Sequence, residues 1–417
     1  MSHYLYKCFD CSTEYTPEEI ENNFIYLCPK CGTANRNEPL KGVLKILYDY
    51  IDIREKVSGE QFLKNPIGEI WNYPFLLPLE VENDKISKVT FLQLEKLRLT
   101  KEPIYNIEKN LQIFDDTRNP TLSYKDRATQ LIILKALQIG IDEISAASTG
   151  NAGSSLAGIC AKLGITSHIF VPKNIPASKR IQIQSYGANI YLVDGSYDDA
   201  FDLCLDVSKK KGWYNRNTAY NPLTIEGKKS SAYDIFISQN GELPDYIFIP
   251  VGDGVIISGI YKGFWELKQL GWIDKIPKLI GVQAEGSDAI VRYLSTGEFN
   301  FIEANTIADS ISAGAPRNLF MAAHSIMDSD GFAISVTDNE ILEAQKALTA
   351  KYGVLAEPSA SASYAGYTKL KNQNNLEENS KVMLMITGHG LKDVSSLEKW
   401  NDSPKIRSSE EWKKELS

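Results

Sequence analysis

No apolar run in this sequence approaches the roughly 18 residues needed to cross a bilayer. The opening stretch, MSHYLYKCFDCS, lacks the charged-then-apolar layout of an export signal. Basic residues are outnumbered: 45 Lys and Arg stand against 53 Asp and Glu, a formal net charge of -8. That balance argues against nucleic acid as the main partner. No internal repeat and no long low-complexity segment is present. These absences leave a soluble cytoplasmic protein with a small-molecule partner, no nucleic acid and no membrane, as the expectation.

What is there is an enzyme-sized chain. At 417 residues it is too long for one core, so two or three folding units are expected. Six cysteines are present and four cluster, as Cys8 and Cys11, sixteen residues, then Cys28 and Cys31. Two CxxC turns at this spacing can each present a thiolate pair and close a tetrahedron around Zn2+. Four free thiols, or disulfides in an exported protein, would share the spacing. With no export signal, a zinc ribbon over residues 1–39 is the expectation, with a structural role because four thiolates leave no open position. Cys160 and Cys204 lie in amphipathic stretches and read as core residues.

Residues 40–118 are a mixed segment of short apolar runs and prolines. From about 128 the pattern becomes regular, with apolar strands such as DYIFIPVG, KLIGVQAEG and KVMLMITG running into glycine. Helices of ordinary length alternate with them. The stretch DNEILEAQKALTAKYG, for instance, has a Thr337/Asp338 cap and a Gly353 stop. The class is α/β, with parallel-rich twisted sheets and helices on both faces. In such sheets ligands bind beyond the carboxyl ends of the strands, and three turns there stand out. In ASTGNAGSS, Ser148, Thr149, Gly150 and Asn151 crowd a helix start near Ala152, a place for a carboxylate or phosphate, although a plain N-cap would look the same. In IPVGDGVIISG, Gly252 and Gly254 let the backbone approach a ligand ahead of a helix, although any turn needing positive φ would do so. In MITGHGLKD, Thr387 and His389 end the last strong strand, and no second His or Cys nearby gives His389 a metal role.

A fourth stretch, NPTLSYKDRATQ, places Lys125 where a turn gives way to a helix. Taken in order, NPTLSYK, STGN, the glycine turn and TGHG resemble threonine synthase, within the fold-type II enzymes that use pyridoxal phosphate. The cysteine ribbon, IWNYPFLLPL, NPLTIEGKKS and VQAEGS extend the likeness over nearly the whole chain. The resemblance implies a two-lobed catalytic region over 40–417, its smaller lobe at roughly 135–225, and a homodimer. It implies that Lys125 holds the cofactor as a Schiff base, with Tyr124 where the family usually has Phe. Asn151 would bond the phenolic oxygen of the ring, Gly252, Asp253, Gly254, Val255 and Ile256 would cradle the phosphate, and Thr387 would meet the pyridine nitrogen. Ser148, Thr149, Gly150, Asn151, Ala152 and Thr224 would face the amino-acid substrate. An imine-forming lysine must be partly neutral, so Lys125 should be desolvated or close to positive charge. A hydroxyl rather than a carboxylate at the ring nitrogen suits elimination or replacement at Cβ or Cγ.

Three positions depart from the family pattern. Ala152 stands at a Thr, Thr224 at the Arg of NPxRxEG, and Val255 and Ile256 at the Gly and Asn of the glycine turn. Together they predict a weakened hold on the phosphate of phosphohomoserine, unless Lys228, Lys229 or Arg317 compensates. A serine/threonine dehydratase-type ammonia-lyase, a β-replacement synthase and a catalytically silent zinc-ribbon binding protein are the competing expectations. The last would have no need of an imine-forming Lys125.

Overall fold

The computed structural model describes residues 3–417 except 83, 84, 149, 176 and 402. The chain opens with an antiparallel sheet of β1 (Tyr4–Cys8), β2 (Glu14–Tyr15) and β3 (Leu44–Tyr48), in the order β2-β1-β3. The sheet that carries the cysteines therefore takes its third strand from beyond residue 39. A small antiparallel pair, β4 (Val81–Glu82) and β5 (Lys85–Ile86), follows, then the hairpin β6 (Ile104–Glu108) and β7 (Leu111–Asp115).

The regular part forms two parallel-rich sheets. β8 (Glu143–Ala147), β9 (Thr166–Pro172), β10 (Asn189–Val193) and β11 (Tyr214–Asn215) make a wholly parallel sheet, ordered β10-β9-β8-β11. β12 (Tyr246–Pro250), β13 (Lys278–Ala284), β14 (Phe332–Val336) and β15 (Val382–Ile386) join β7 and β6 in the order β14-β13-β12-β15-β7-β6. All its pairs are parallel except β6 with β7 at the edge. The central strands β12 and β15 are buried along their whole length, which is why YIFIP and VMLMI read as unbroken apolar runs rather than alternating ones. Cys160 and Cys204 are fully buried, as expected.

The helix Lys125–Gln138 is buried on nearly every face. It packs against the short helix Leu223–Lys228 so closely that a Cβ on Gly227 would lie 2.5 Å from the carbonyl oxygen of Arg127. Only glycine permits that approach. Behind this contact lies a sealed ionic network. Lys229 meets Glu226 at 2.6 Å and Glu266 at 3.0 Å, and Lys262 meets Glu266 at 2.6 Å. Tyr48 donates to Glu226 and Tyr50 to Glu266, at 2.8 and 3.0 Å, so the network also fastens the N-terminal sheet to the body. Two lysines balance two glutamates, which is the condition under which charges persist in a dry interior. No helix among the described residues is long and apolar enough to cross a membrane.

Candidate active site

A cavity of about 580 Å³ lies beyond the carboxyl ends of β8, β12 and β15, where the open-sheet rule places ligands. It is lined by residues of all four stretches singled out in the sequence: Lys125; Ser148, Gly150, Asn151 and Ala152; Gly252 through Ile257; and Thr387. Thr149 lies outside the described residues. Thr224 does not reach the cavity. Its hydroxyl is spent inside its own turn, donating to the carbonyl of Asn221 at 2.8 Å and accepting from Ala219 N–H.

Lys125 is the first residue of its helix, entered through a turn in which Leu122 takes a positive φ of 66°. Non-glycine residues held this way cluster at functional sites, where the surroundings enforce the strain. The enforcement is visible here. Asp126 accepts from Thr121 N–H at 2.7 Å, and Arg127 meets Asp116 at 2.6 and 3.0 Å and Asp234 at 2.6 Å, all fully buried. Tyr124 N–H donates to the carbonyl of Thr387, and its hydroxyl bonds Ser231 at 2.6 Å. The charged residues after Lys125 are therefore clamps, not a solvated helix face. Burial, then the charge of Arg216, pulls the Lys125 amine down to about 8, so a useful fraction is neutral near physiological pH.

Asn151 opens the helix Asn151–Leu163 and donates to Glu357 at 2.7 Å, while its Oδ1 is buried without a partner. Across the cavity Gly254, at φ 85°, starts the helix Val255–Gln269 and leaves the turn 252–256 at its positive end. A Cβ on Gly254 would press on Ala322 at 2.6 Å, so the position needs glycine twice over.

Two neighbours of Lys125 went unread or half-read in the sequence. Arg216 and Lys228 are both fully buried. Arg216 donates to Thr218 at 2.9 Å, but its Nε and Nη2 are unpartnered, and so is Lys228 Nζ. Burial, with the charges of Lys125 and Arg216 adding to it, holds Lys228 well below the usual lysine value. Burial also pulls Arg216 down to about 10. Of the other two candidates to compensate, Lys229 is consumed by the sealed network, and Arg317 pairs with Asp198 and donates to the carbonyls of Asn35 and Glu38. Glu357 is the other residue the sequence did not flag. It sits before Pro358 at a helix start, and its carboxylate packs against Gly388.

The arrangement offers a lysine poised to be neutral, an anion cradle at a helix N-terminus, a hydroxyl at the end of β15 and an orphaned amide oxygen in between. The family profile described as "Pyridoxal-phosphate dependent enzyme" matches residues 100–388 of the chain. The chain belongs to that family. Its relatives within the pyridoxal-phosphate-dependent enzymes include the threonine synthase of Methanocaldococcus jannaschii, 35% identical over 96% of each chain. The threonine synthase of Methanosarcina acetivorans is 36% identical over 94% of this chain and 93% of its own. Among solved structures, maize serine racemase superposes with a TM-score of 0.62 at 23% identity, covering 71% of this chain and 90% of that one. An O-ureido-L-serine synthase mutant gives 0.63 at 18% identity, covering 79% and 98%. These likenesses establish the two-lobed fold. The chain is thus a threonine synthase-like enzyme of the pyridoxal-phosphate-dependent family, and the lined cavity, the poised Lys125 and the helix-start turn at 252–256 fit that cofactor.

At the N-terminus the four cysteine sulfurs lie within 4.8 Å of one another, with Cys8 and Cys31 at 3.4 Å and Cys11 and Cys28 at 3.6 Å, and all four are free of disulfides.

Proposed function

We propose that the enzyme converts phosphohomoserine to threonine, with Lys125 as both the cofactor-holding and the proton-moving residue. What supports this reading is the threonine synthase likeness over nearly the whole chain. Beside Lys125, Arg216 and Lys228 add two fully buried residues with unpartnered nitrogens, though neither lines the cavity. Unpaired buried charge is costly, and burial draws Lys228 toward its neutral form; an anion brought close would restore the proton and complete the pair. On this reading the substrate phosphate is that anion, admitted to the pair only when the side chains between it and the cavity move. The Arg expected at position 224 is absent, but its work passes to Arg216 and Lys228, approaching from β11 and from the end of the Leu223 helix. On this reading the phosphate hold is kept by other residues than those of the family motif.

Within this reading Asn151 holds the phenolic oxygen of the cofactor ring through its side-chain amide, and the turn from Gly252 to Ile256 holds the cofactor phosphate. Thr387 faces the ring nitrogen. Ser148, Thr149, Gly150 and Asn151 receive the substrate carboxylate, with Ala152 behind them. The cofactor, when bound, supplies the electron sink for bonds at Cα. Freed by the incoming amino acid, the Lys125 amine takes and returns protons at Cα and Cβ, for which a value near 8 suits it. Cys8, Cys11, Cys28 and Cys31 hold one structural Zn2+.

Steady-state kinetics with phosphohomoserine tests the reading. Threonine and phosphate should form in equal amounts. Release of ammonia and a 2-oxo acid instead would move the enzyme to the ammonia-lyases.

A further inference from the structure

The N-terminal cysteine sheet does more than adjoin the catalytic body: one of its loops forms part of the cavity wall. Residues 33–41 make a hairpin that springs directly from Cys31. Its base is closed by Thr33 N–H to Lys41 O at 3.2 Å and Lys41 N–H to Thr33 O at 3.1 Å. Just below, Gly42 takes a φ of 70°, and a Cβ there would lie 2.5 Å from Gly32 Cα, so the two arms touch at backbone range. Leu40 and Val43 pack with Ile225 and Val255, which places the hairpin against the start of the Val255 helix. Arg317 fixes the tip, donating to Asn35 O and Glu38 O, while its own N–H donates to Asp253 of the phosphate turn at 3.1 Å. The tip residues Arg36 and Asn37 line the cavity.

Three cations line that cavity among the described residues: Arg36, Lys125 and Arg317. Lys125 is committed to the cofactor, and Arg317 is locked by its bonds to Asp198 and the hairpin. Arg36 is held only by Asp199 at 3.1 Å and Ser196 at 3.4 Å, with the Arg and Asp side chains 56% and 38% exposed. Exposed pairs of this kind contribute little and exchange readily. Asp199 loses little by release, because its other oxygen caps its helix through Ser196 N–H at 2.6 Å. Ser196, Tyr197 and Thr218, the last bonded to Arg216, line the same cavity as Arg36.

We propose that Arg36 leaves Asp199 to close over the substrate phosphate from the solvent side, making the cysteine sheet part of the substrate site. This rests on the phosphohomoserine reading, and the experiment separates the two. Holoenzyme and its Arg36→Gln, Arg36→Lys and Asp199→Asn variants are titrated with inorganic phosphate by calorimetry and assayed with phosphohomoserine. Arg36→Gln should weaken phosphate binding and raise KM by about fivefold with kcat little changed, and the difference should shrink in high salt, as expected of a rim charge. Arg36→Lys should recover most of the loss. Asp199→Asn, which keeps the cap acceptor but frees the arginine, should tighten phosphate binding. Unchanged phosphate affinity and KM in Arg36→Gln overturn the proposal, as does a fall in kcat alone. A wild type that makes no threonine refutes the substrate reading, whereas the phosphate titration still decides the role of Arg36.

Discussion

Lys228 and Lys229 are adjacent at the end of one short helix, both are fully buried, and their surroundings are opposite. Lys229 points away from the cavity into two glutamates and sits 4.3 Å over the Tyr48 ring. Lys228 points toward Lys125 and Arg216 and has no partner. About 100° of helix separates a lysine paired within the fold from one left without a partner. Burial alone therefore does not mark function; burial without a counter-charge does.

The comparison can be broken in several ways. The largest effect belongs to the third lysine of the set. Lys125→Ala should abolish the visible absorbance of bound cofactor and lower turnover by on the order of a thousandfold or more, as loss of the acid/base alone would do. Absorbance spectra and kinetics check it together. Next, Lys229→Met should destabilise the protein by about 3–5 kcal/mol, since it leaves Glu226 and Glu266 short of a positive charge in a dry site. Denaturant unfolding of the cofactor-free protein reads this directly.

Lys228→Met should do the reverse. Cofactor-free stability should hold or rise, while kcat/KM for phosphohomoserine falls by about tenfold to a hundredfold, the worth of one charge-assisted hydrogen bond. If Lys228→Met destabilises as much as Lys229→Met, the distinction between the two lysines collapses. The smallest effect is in pH. Lys125 in the cofactor-free protein titrates at about 8 against 10.5 for an ordinary lysine. Between those values the unfolded chain holds a proton that the folded chain has released, so this group makes stability rise with pH. Lys228 is depressed in the same direction. The stability difference between wild type and Lys228→Met should therefore shrink as pH climbs toward 10.5. Unfolding curves at several pH values would show it.

The readable parts of this sequence are those whose signals are local. Strand, glycine turn and helix follow one another within a dozen residues at 246–259 and at 143–152, and both turns line the cavity. Gly353 stops its helix in the left-handed conformation, as its position after TAKY implies. The unread parts depend on distance. Arg216 and Lys228 lie on separate elements, and only the fold shows that neither has a carboxylate. Thr224 was placed in the substrate site by alignment of a motif, but its hydroxyl had a nearer partner in the carbonyl of Asn221. β3 joins the cysteine sheet through pairing with β1 across some forty residues, so a boundary at 39 could not anticipate it. Arg36 resembles any exposed arginine until the hairpin carries it to the cavity.

The glycine at 227 has a consequence of a metrological kind. Because its backbone rests against Arg127 and Ala128, the helix bearing Lys125 and the helix bearing Lys228 meet main chain to main chain. The spacing of the two backbones is therefore set, and any adjustment between Lys125 and Lys228 is left to their four-carbon side chains. An added methyl at 227 would force the helices apart and carry Lys125 away from the cavity wall it lines.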